Sequence, residues 1–182
     1  CQTLEGNSGG GIRVRGGGSI INSQITSNFT NRNGGGMMVS DGQLVIENTE
    51  IVNNIADDSG GGIYVQSGDI IQIKNCPISG NTAVLGSGGG MYYGGGYLGL
   101  ENTTICGNST DQYAGATYTD LGGNVIQHIC PSVGACCTNN TCVISEQNDC
   151  IFFSGEWMGA NTNCEDICQT NCMGDLSGDG VV

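Results

Sequence analysis

Positive charge is nearly absent from this sequence. Its 182 residues carry four Lys and Arg against seventeen Asp and Glu, a formal net charge of −13 at pH 7. A surface of that sign repels phosphate backbones and anionic lipid headgroups, which excludes nucleic acid and acidic membranes as partners. Long apolar runs are missing too. No stretch approaches the ~20 residues that cross a bilayer as a helix, and none has the form of a secretory leader. The chain is therefore expected to begin after processing or inside a longer protein. Histidine occurs once, at His128, and there are no paired Cys-x-x-Cys knuckles. The eleven cysteines are accordingly read as disulfide formers of an extracellular or cell-surface protein, not as cytosolic zinc ligands. Helical periodicity is absent from the first 130 residues.

In its place stands a repeat. Glycine triplets begin at Gly9, Gly34, Gly60 and Gly88, spaced 25, 26 and 28 residues apart. After each triplet come a short apolar strand and the motif Asn-x-x-Ile-x-x-Asn. Asn22, Asn48, Asn75 and Asn102 open that motif, Ile25, Ile51, Ile78 and Ile105 centre it, and Asn28, Asn54, Asn81 and Asn108 close it. A period in the twenties, rich in glycine and β-branched residues, marks a solenoid with one coil per repeat. Equivalent residues then stack at the ~4.8 Å separation of neighbouring strands, so each repeated residue becomes a ladder. Isoleucine columns form a dry core, asparagine amides bond along their column and turn the chain, and glycines serve corners that exclude a Cβ.

Alternation sorts the faces. Ile12, Met37, Ile63 and Met91 align, as do Val14, Val39, Val65 and Tyr93, and these are expected to point inward. Arg13, Met38, Tyr64 and Tyr92 then point outward, with Tyr118 of a degenerate fifth coil (residues 113–120) extending the row. Leu44 to Ile46, Ile70 to Ile73 and Leu98 to Leu100 mark a second strand, and Asn-x-x-Ile a third. Cys76 takes the inward position of Ser23, Thr49 and Thr103 and is expected to be a buried free thiol. Cys106 and Cys130 are expected to bridge at the end of the repeat. Asn28, Asn102, Asn108 and Asn139 also open Asn-x-Ser/Thr glycosylation sequons.

Three strands per turn of about 26 residues resemble the right-handed parallel β-helix. The Gly-Gly-Gly-Ile and Asn-x-x-Ile-x-x-Asn wording is similar to repeats of polymorphic outer-membrane and pectate-lyase-like β-helix surface proteins. The resemblance covers roughly residues 1–130 and implies an all-β solenoid of about five coils. That fold hosts lyases, adhesins and inert stalks alike, so it implies no single activity.

Composition shifts at Cys130-Pro131. Over residues 131–172 the triplets stop and cysteines crowd in: Cys136, Cys137, Cys142, Cys150, Cys164, Cys168 and Cys172, next after Cys130. So short a stretch cannot bury a sufficient core, and disulfides are expected to replace it. Gly134-Ala135-Cys136-Cys137 with the later Gly155-Glu156-Trp157 resembles small Cys-rich modules of secreted planctomycete-type proteins. Trp157 is read as a core residue under those disulfides. Residues 173–182 resemble the opening of a dockerin-type or EF-hand-like calcium loop. The resemblance implies that Asp175, Ser177 and Asp179 ligate calcium through side chains and Val181 through its carbonyl, making calcium the one cofactor expected. The loop stops at its eighth position, before the acid expected at position 12.

Catalysis finds little support. A lyase on this fold needs clustered acids and an outward Arg or Lys base. The candidates are Arg13, Arg15, Arg32 and Lys74, and Met38 and Ser40 stand where Arg13 and Arg15 would need acidic neighbours. Asp57-Asp58 lies in a turn without a basic partner in register. The expectation is a non-enzymatic, extracellular structural protein: a surface stalk, adhesin segment or fibre subunit that self-associates head to tail. Residues 1–8 read as the tail of a preceding coil, the cysteine count is odd, and the calcium loop is cut short, so both ends call for a further subunit or for more of the same chain. The alternative is a polysaccharide-binding module that uses Tyr64, Tyr92 and Tyr118 as an aromatic platform.

Overall fold

Each opening asparagine of the repeat turns the chain. Asn22, Asn48, Asn75 and Asn102 have φ of 50°, 48°, 52° and 47°, the left-handed region that asparagine enters more readily than other side-chain-bearing residues. A computed structural model describes residues 8–66, 69–131, 133–138, 141–146 and 156–157, the last three stretches as backbone. Between the turns run short parallel strands, numbered along the chain.

Four sheets result. The first stacks β1 (Ile12–Arg15), β5 (Met37–Ser40), β9 (Ile63–Val65), β13 (Met91–Tyr93) and β16 (Tyr113–Gly115). The second stacks β2 (Gly18–Ile21), β6 (Gln43–Glu47), β10 (Asp69–Lys74), β14 (Gly96–Glu101) and β17 (Thr119–Asp120). The third stacks β3 (Gln24–Thr26), β7 (Glu50–Val52), β11 (Pro77–Ser79), β15 (Thr104–Cys106) and β18 (Val125–Gln127). The fourth holds β4 (Phe29–Thr30), β8 (Ile55–Ala56) and β12 (Thr82–Ala83). Four coils carry the repeat and a shorter fifth turn follows. The fourth sheet corrects the expectation of three strands per turn. Its strands are two residues long, too short for any alternation to register in the sequence, and they follow directly from the closing asparagine. Their inward residues, Thr30, Ala56 and Ala83, are small and buried, so the corner closes tightly.

The register runs without slippage. Ile25, Ile51, Ile78 and Ile105 stand in one column that continues to Ile126. Leu44, Ile71 and Leu98 form another, and Ile46, Ile73 and Leu100 a third. Ile51, Ile78 and Ile105 are wholly buried, and each contributes about 1.5–3 kcal/mol of apolar transfer.

Beside the isoleucines runs the asparagine ladder. Asn54 Oδ1 accepts from Asn28 N and Nδ2, both at 3.0 Å. Asn81 Oδ1 accepts from Asn54 N and Nδ2, both at 2.9 Å. Asn108 Oδ1 accepts from Asn81 N at 2.9 Å and Nδ2 at 3.0 Å. The remaining Nδ2 hydrogens of Asn54, Asn81 and Asn108 go to the carbonyls of Ile25, Ile51 and Ile78. At the far end Gln112 substitutes for a fifth asparagine. Its Oε1 accepts from Asn108 N and Nδ2, and its Nε2 donates to Asn108 O at 2.9 Å. The glycine triplets and the ladder are one device. A Cβ on Gly11, Gly36, Gly62 or Gly90 would stand 2.7–3.0 Å from the ladder Nδ2 of its own coil.

The fifth turn is tied back by a disulfide between Cys106 and Cys130. Cys106 holds an outward position, opposite in phase to Ile105, and is 3% exposed. The bridge closes a 24-residue separation. Replacing both cysteines by alanine is expected to lower stability by ~3–4 kcal/mol through the loop-closure entropy of the unfolded chain. Denaturant titration measures it, and amide exchange should show β18 losing protection first.

The chain divides into two compact units, Cys1–Cys130 and Pro131–Val182. In the second, β19 (Val133–Thr138), β20 (Thr141–Glu146) and β21 (Glu156–Trp157) form an antiparallel sheet that sets Cys137 opposite Cys142 and Cys136 opposite Trp157. Cys136, Cys137 and Cys142 are described as backbone alone, and Cys150, Cys164, Cys168, Cys172 and the calcium ligands Asp175, Ser177, Asp179 and Val181 lie outside the described residues, as do the disulfides expected of these cysteines.

Candidate functional site

The outward face of the first sheet gathers the residues with chemistry to offer. Its central row pairs Arg13 with Met38, Met38 with Tyr64, and Tyr64 with Tyr92. The two tyrosine rings stack with centroids 5.1 Å apart and planes 6° from parallel. Burial, and then the neighbouring Tyr92, push the Tyr64 hydroxyl pKa upward. Met38 is 8% exposed although its position faces outward.

Tyr118 does not join this row, contrary to expectation. The fifth turn pairs Met91 with Tyr113, so the next residue, Ala114, falls beside Tyr92. Tyr118 instead meets Tyr113 edge to face, with centroids 5.3 Å apart, at the end of the core. A short turn cannot keep the spacing of a full coil, and counting alternation across it placed the wrong residue in the row. Tyr113 donates its hydroxyl to Ala116 O, and burial, Tyr93 and Tyr118 in that order raise its pKa to about 12. The same tyrosine ionises near 10.0 in the unfolded chain, ahead of the folded one. Its contribution is therefore full below pH ~10 and declines as pH rises towards ~12. Thermal melts across that alkaline window should show a falling midpoint, less steep in Tyr113→Phe.

The basic residues are dispersed by function. Lys74 pairs with Glu101 at 2.9 Å on the outward row Glu47, Lys74, Glu101. The hydrogen bond to Glu101 and its charge hold the lysine pKa up, so it stays charged and is poorly suited to act as a base. Arg13 and Arg15 are exposed on β1, in register with Met38 and Ser40. Contrary to the expectation that Asp57-Asp58 lacks a basic partner in register, Arg32 in the loop after β4 stands beside Asp58 of the next coil, whose amide donates to the Arg32 carbonyl. Among the described residues no three His, Cys, Asp or Glu side chains gather as a metal site. Cys76 is 1% exposed and its thiol contacts the carbonyls of Lys74 and Ile46 at 3.0 and 3.7 Å. Burial, the largest influence, pushes the thiol pKa up, which keeps it protonated and unreactive. Of the sequon asparagines, Asn108 is 3% exposed and bonded through its amide, so no oligosaccharide transferase reaches it, whereas Asn102 is exposed.

A polar corner escaped the sequence reading. Asp69 is 2% exposed, and one carboxylate oxygen accepts from Gly42 N at 2.7 Å. Its other oxygen, the Tyr93 hydroxyl and the Ser40 hydroxyl are buried without hydrogen-bond partners. Burial chiefly, and then Asp69, push the Tyr93 pKa upward. Nothing in the repeat distinguishes Asp69 from a turn acid, because its burial arises from the coils above and below.

The family model described as the right handed beta helix region matches residues 10–172. No curated protein and no solved structure matches the chain. The parallel coils, their zero-slip register and this match over most of the length agree, and the chain belongs to the right-handed β-helix family.

Proposed function

We propose that this chain is an extracellular structural segment, a rigid surface stalk, adhesin segment or fibre subunit. The observation that carries the reading is the ladder from Asn28 to Gln112, which links every coil to the next through side chains as well as backbone. A solenoid bonded twice between repeats resists bending and unstacking. The Cys106–Cys130 disulfide and the cysteine-rich second unit suit an oxidising compartment.

Head-to-tail association fits the same architecture. A non-closing contact between unlike ends generates a filament. Calcium held by Asp175, Ser177, Asp179 and Val181 would rigidify the tail. Negative-stain microscopy of native material tests the proposal. Rods or filaments that lengthen with concentration are expected, and short particles of constant size at every concentration would sink the assembly.

A second reading, polysaccharide binding, is favoured by one feature. Tyr92 has Ala114 as its neighbour in the next coil, a side chain too small to cover a ring. A sugar could stack there, although the opposite face of the ring is already taken by Tyr64. A glycan array with Tyr92→Ala as comparison separates the two. Binding lost in the variant supports a carbohydrate module, and an empty array leaves the pair as a sheet-stabilising stack.

A further inference from the structure

A glycine interrupts the outward face of the second sheet. Gly99 is in register with Gln72 and Thr119, and Gln72 with Val45, so the same row carries a side chain in the neighbouring coils. The Gly99 backbone is not left-handed, and a strand glycine without that need marks a place where another group comes close. That group is Tyr97. A Cβ on Gly99 would stand 3.1 Å from the Tyr97 hydroxyl oxygen, 3.4 Å from a carbon of its ring and 3.0 Å from Leu121 Cδ1. Outward side chains two positions apart on a strand ordinarily stand upright, ~7 Å from each other. The Tyr97 ring is therefore laid along the strand over Gly99, which is buried although its position faces outward. The ring remains 38% exposed, flanked by Ile70 at 40% and Leu121 at 45%. Tyr64 and Tyr92 differ, because their rings cover one another. Polar groups border Tyr97 on the same face: Gln72 beside Gly99, and Glu47, Lys74 and Glu101 along the next outward row. Lys74 is paired with Glu101, so that row keeps a net negative charge.

We propose that Tyr97 is a stacking platform for a pyranose ring of a neutral polysaccharide. The apolar face of a sugar covers a phenol ring laid flat, and its hydroxyls meet the Gln72 amide, which donates and accepts, and the Glu101 carboxylate, which accepts. Polyuronates and sulfated glycans are repelled by the acidic row. This rests on the polysaccharide reading above, moves its platform from the first sheet to the second and adds the charge class of the glycan.

Affinity electrophoresis of the full chain is the test, in native gels that contain a soluble β-glucan, mannan or xylan, or a polyuronate. The variants are Tyr97→Ala, Tyr97→Leu, which still covers Gly99 but offers no ring, and Tyr92→Ala, each checked for folding by circular dichroism. The expected result is retardation by at least one neutral glycan, weakened about tenfold in both Tyr97 variants and kept in Tyr92→Ala, with none by the polyuronate. Retardation unchanged in folded Tyr97→Leu would overturn the platform, and its loss in Tyr92→Ala instead would return the site to the first sheet. Equal retardation by the polyuronate would overturn the neutral class. A chain that no glycan retards would overturn the polysaccharide reading as well. Should Tyr97→Ala not fold, Tyr97→Leu decides alone.

Discussion

Replacing Asn81 by leucine is expected to lower the thermal midpoint by about 10 °C. Leucine fills a similar volume but carries no amide. Asn54 then loses the Oδ1 that accepts from both its backbone N and its Nδ2, and Ile51 O loses the donor Nδ2 of Asn81. The rung to Asn108 Oδ1 also goes, leaving only the Asn81 backbone N on that oxygen. A buried group left unpaired costs ~1–3 kcal/mol and each bond lost ~0.5–1.5 kcal/mol, so ~3–5 kcal/mol is the expected sum. In a chain of this length each kcal/mol shifts the midpoint by ~2–4 °C. Gln112→Ala removes the acceptor of Asn108 N and Nδ2 and the donor to Asn108 O, but only at the end of the ladder, and should cost about half as much. Scanning calorimetry of both variants is the check. A shift for Asn81→Leu below ~2 °C would mean that the ladder is decoration on a fold held by its apolar columns.

The second large effect belongs to the middle glycine of a triplet. In Gly61→Ala the new Cβ would stand 2.4 Å from Gly89 O and 2.5 Å from the Thr82 carbonyl carbon and oxygen. All three are backbone atoms in rigid positions, so the coils must part, and the resulting strain is expected to cost more than ~3 kcal/mol. Gly16 supplies the contrast. Its φ of 86° is left-handed, yet nothing lies within 4 Å of a Cβ built there. Gly16→Asn should cost under ~1 kcal/mol, because asparagine tolerates that backbone region. Parallel denaturant titrations measure the pair. Equal effects at both sites would show that glycine serves backbone freedom throughout the chain and not close approach of coils.

Much of this molecule was written in its period. Asn22 to Asn102 announce left-handed turns, Ile25 to Ile105 announce a column, and spacing alone brings Cys106 and Cys130 to adjacent turns, because in a solenoid sequence distance modulo the coil length is spatial distance. The same rule makes the inward alternation of Val14, Val39, Val65 and Tyr93 readable. It fails where the period fails: the shortened fifth turn moved Tyr118 out of the tyrosine row and set Ala114 there.

What the sequence by itself determined, then, is the solenoid, its core columns and its asparagine ladder, all of which depend on residues repeated at a constant interval. Only the tertiary structure decided the features that occur once. Gln112 is four residues from Asn108 and stands in register with Gly90, the last glycine of a triplet, yet its side chain reaches the ladder and supplies the acceptor that a further asparagine would. Asp69 becomes a buried carboxylate only when the coils on either side of it are in place. The strands Phe29–Thr30, Ile55–Ala56 and Thr82–Ala83 do recur with the period, but at two residues each they show no alternation and are defined only by their pairing. A repeat encodes contacts between equivalent positions, whereas contacts between unlike positions depend on how the chain departs from its repeat, and that is settled by packing in three dimensions.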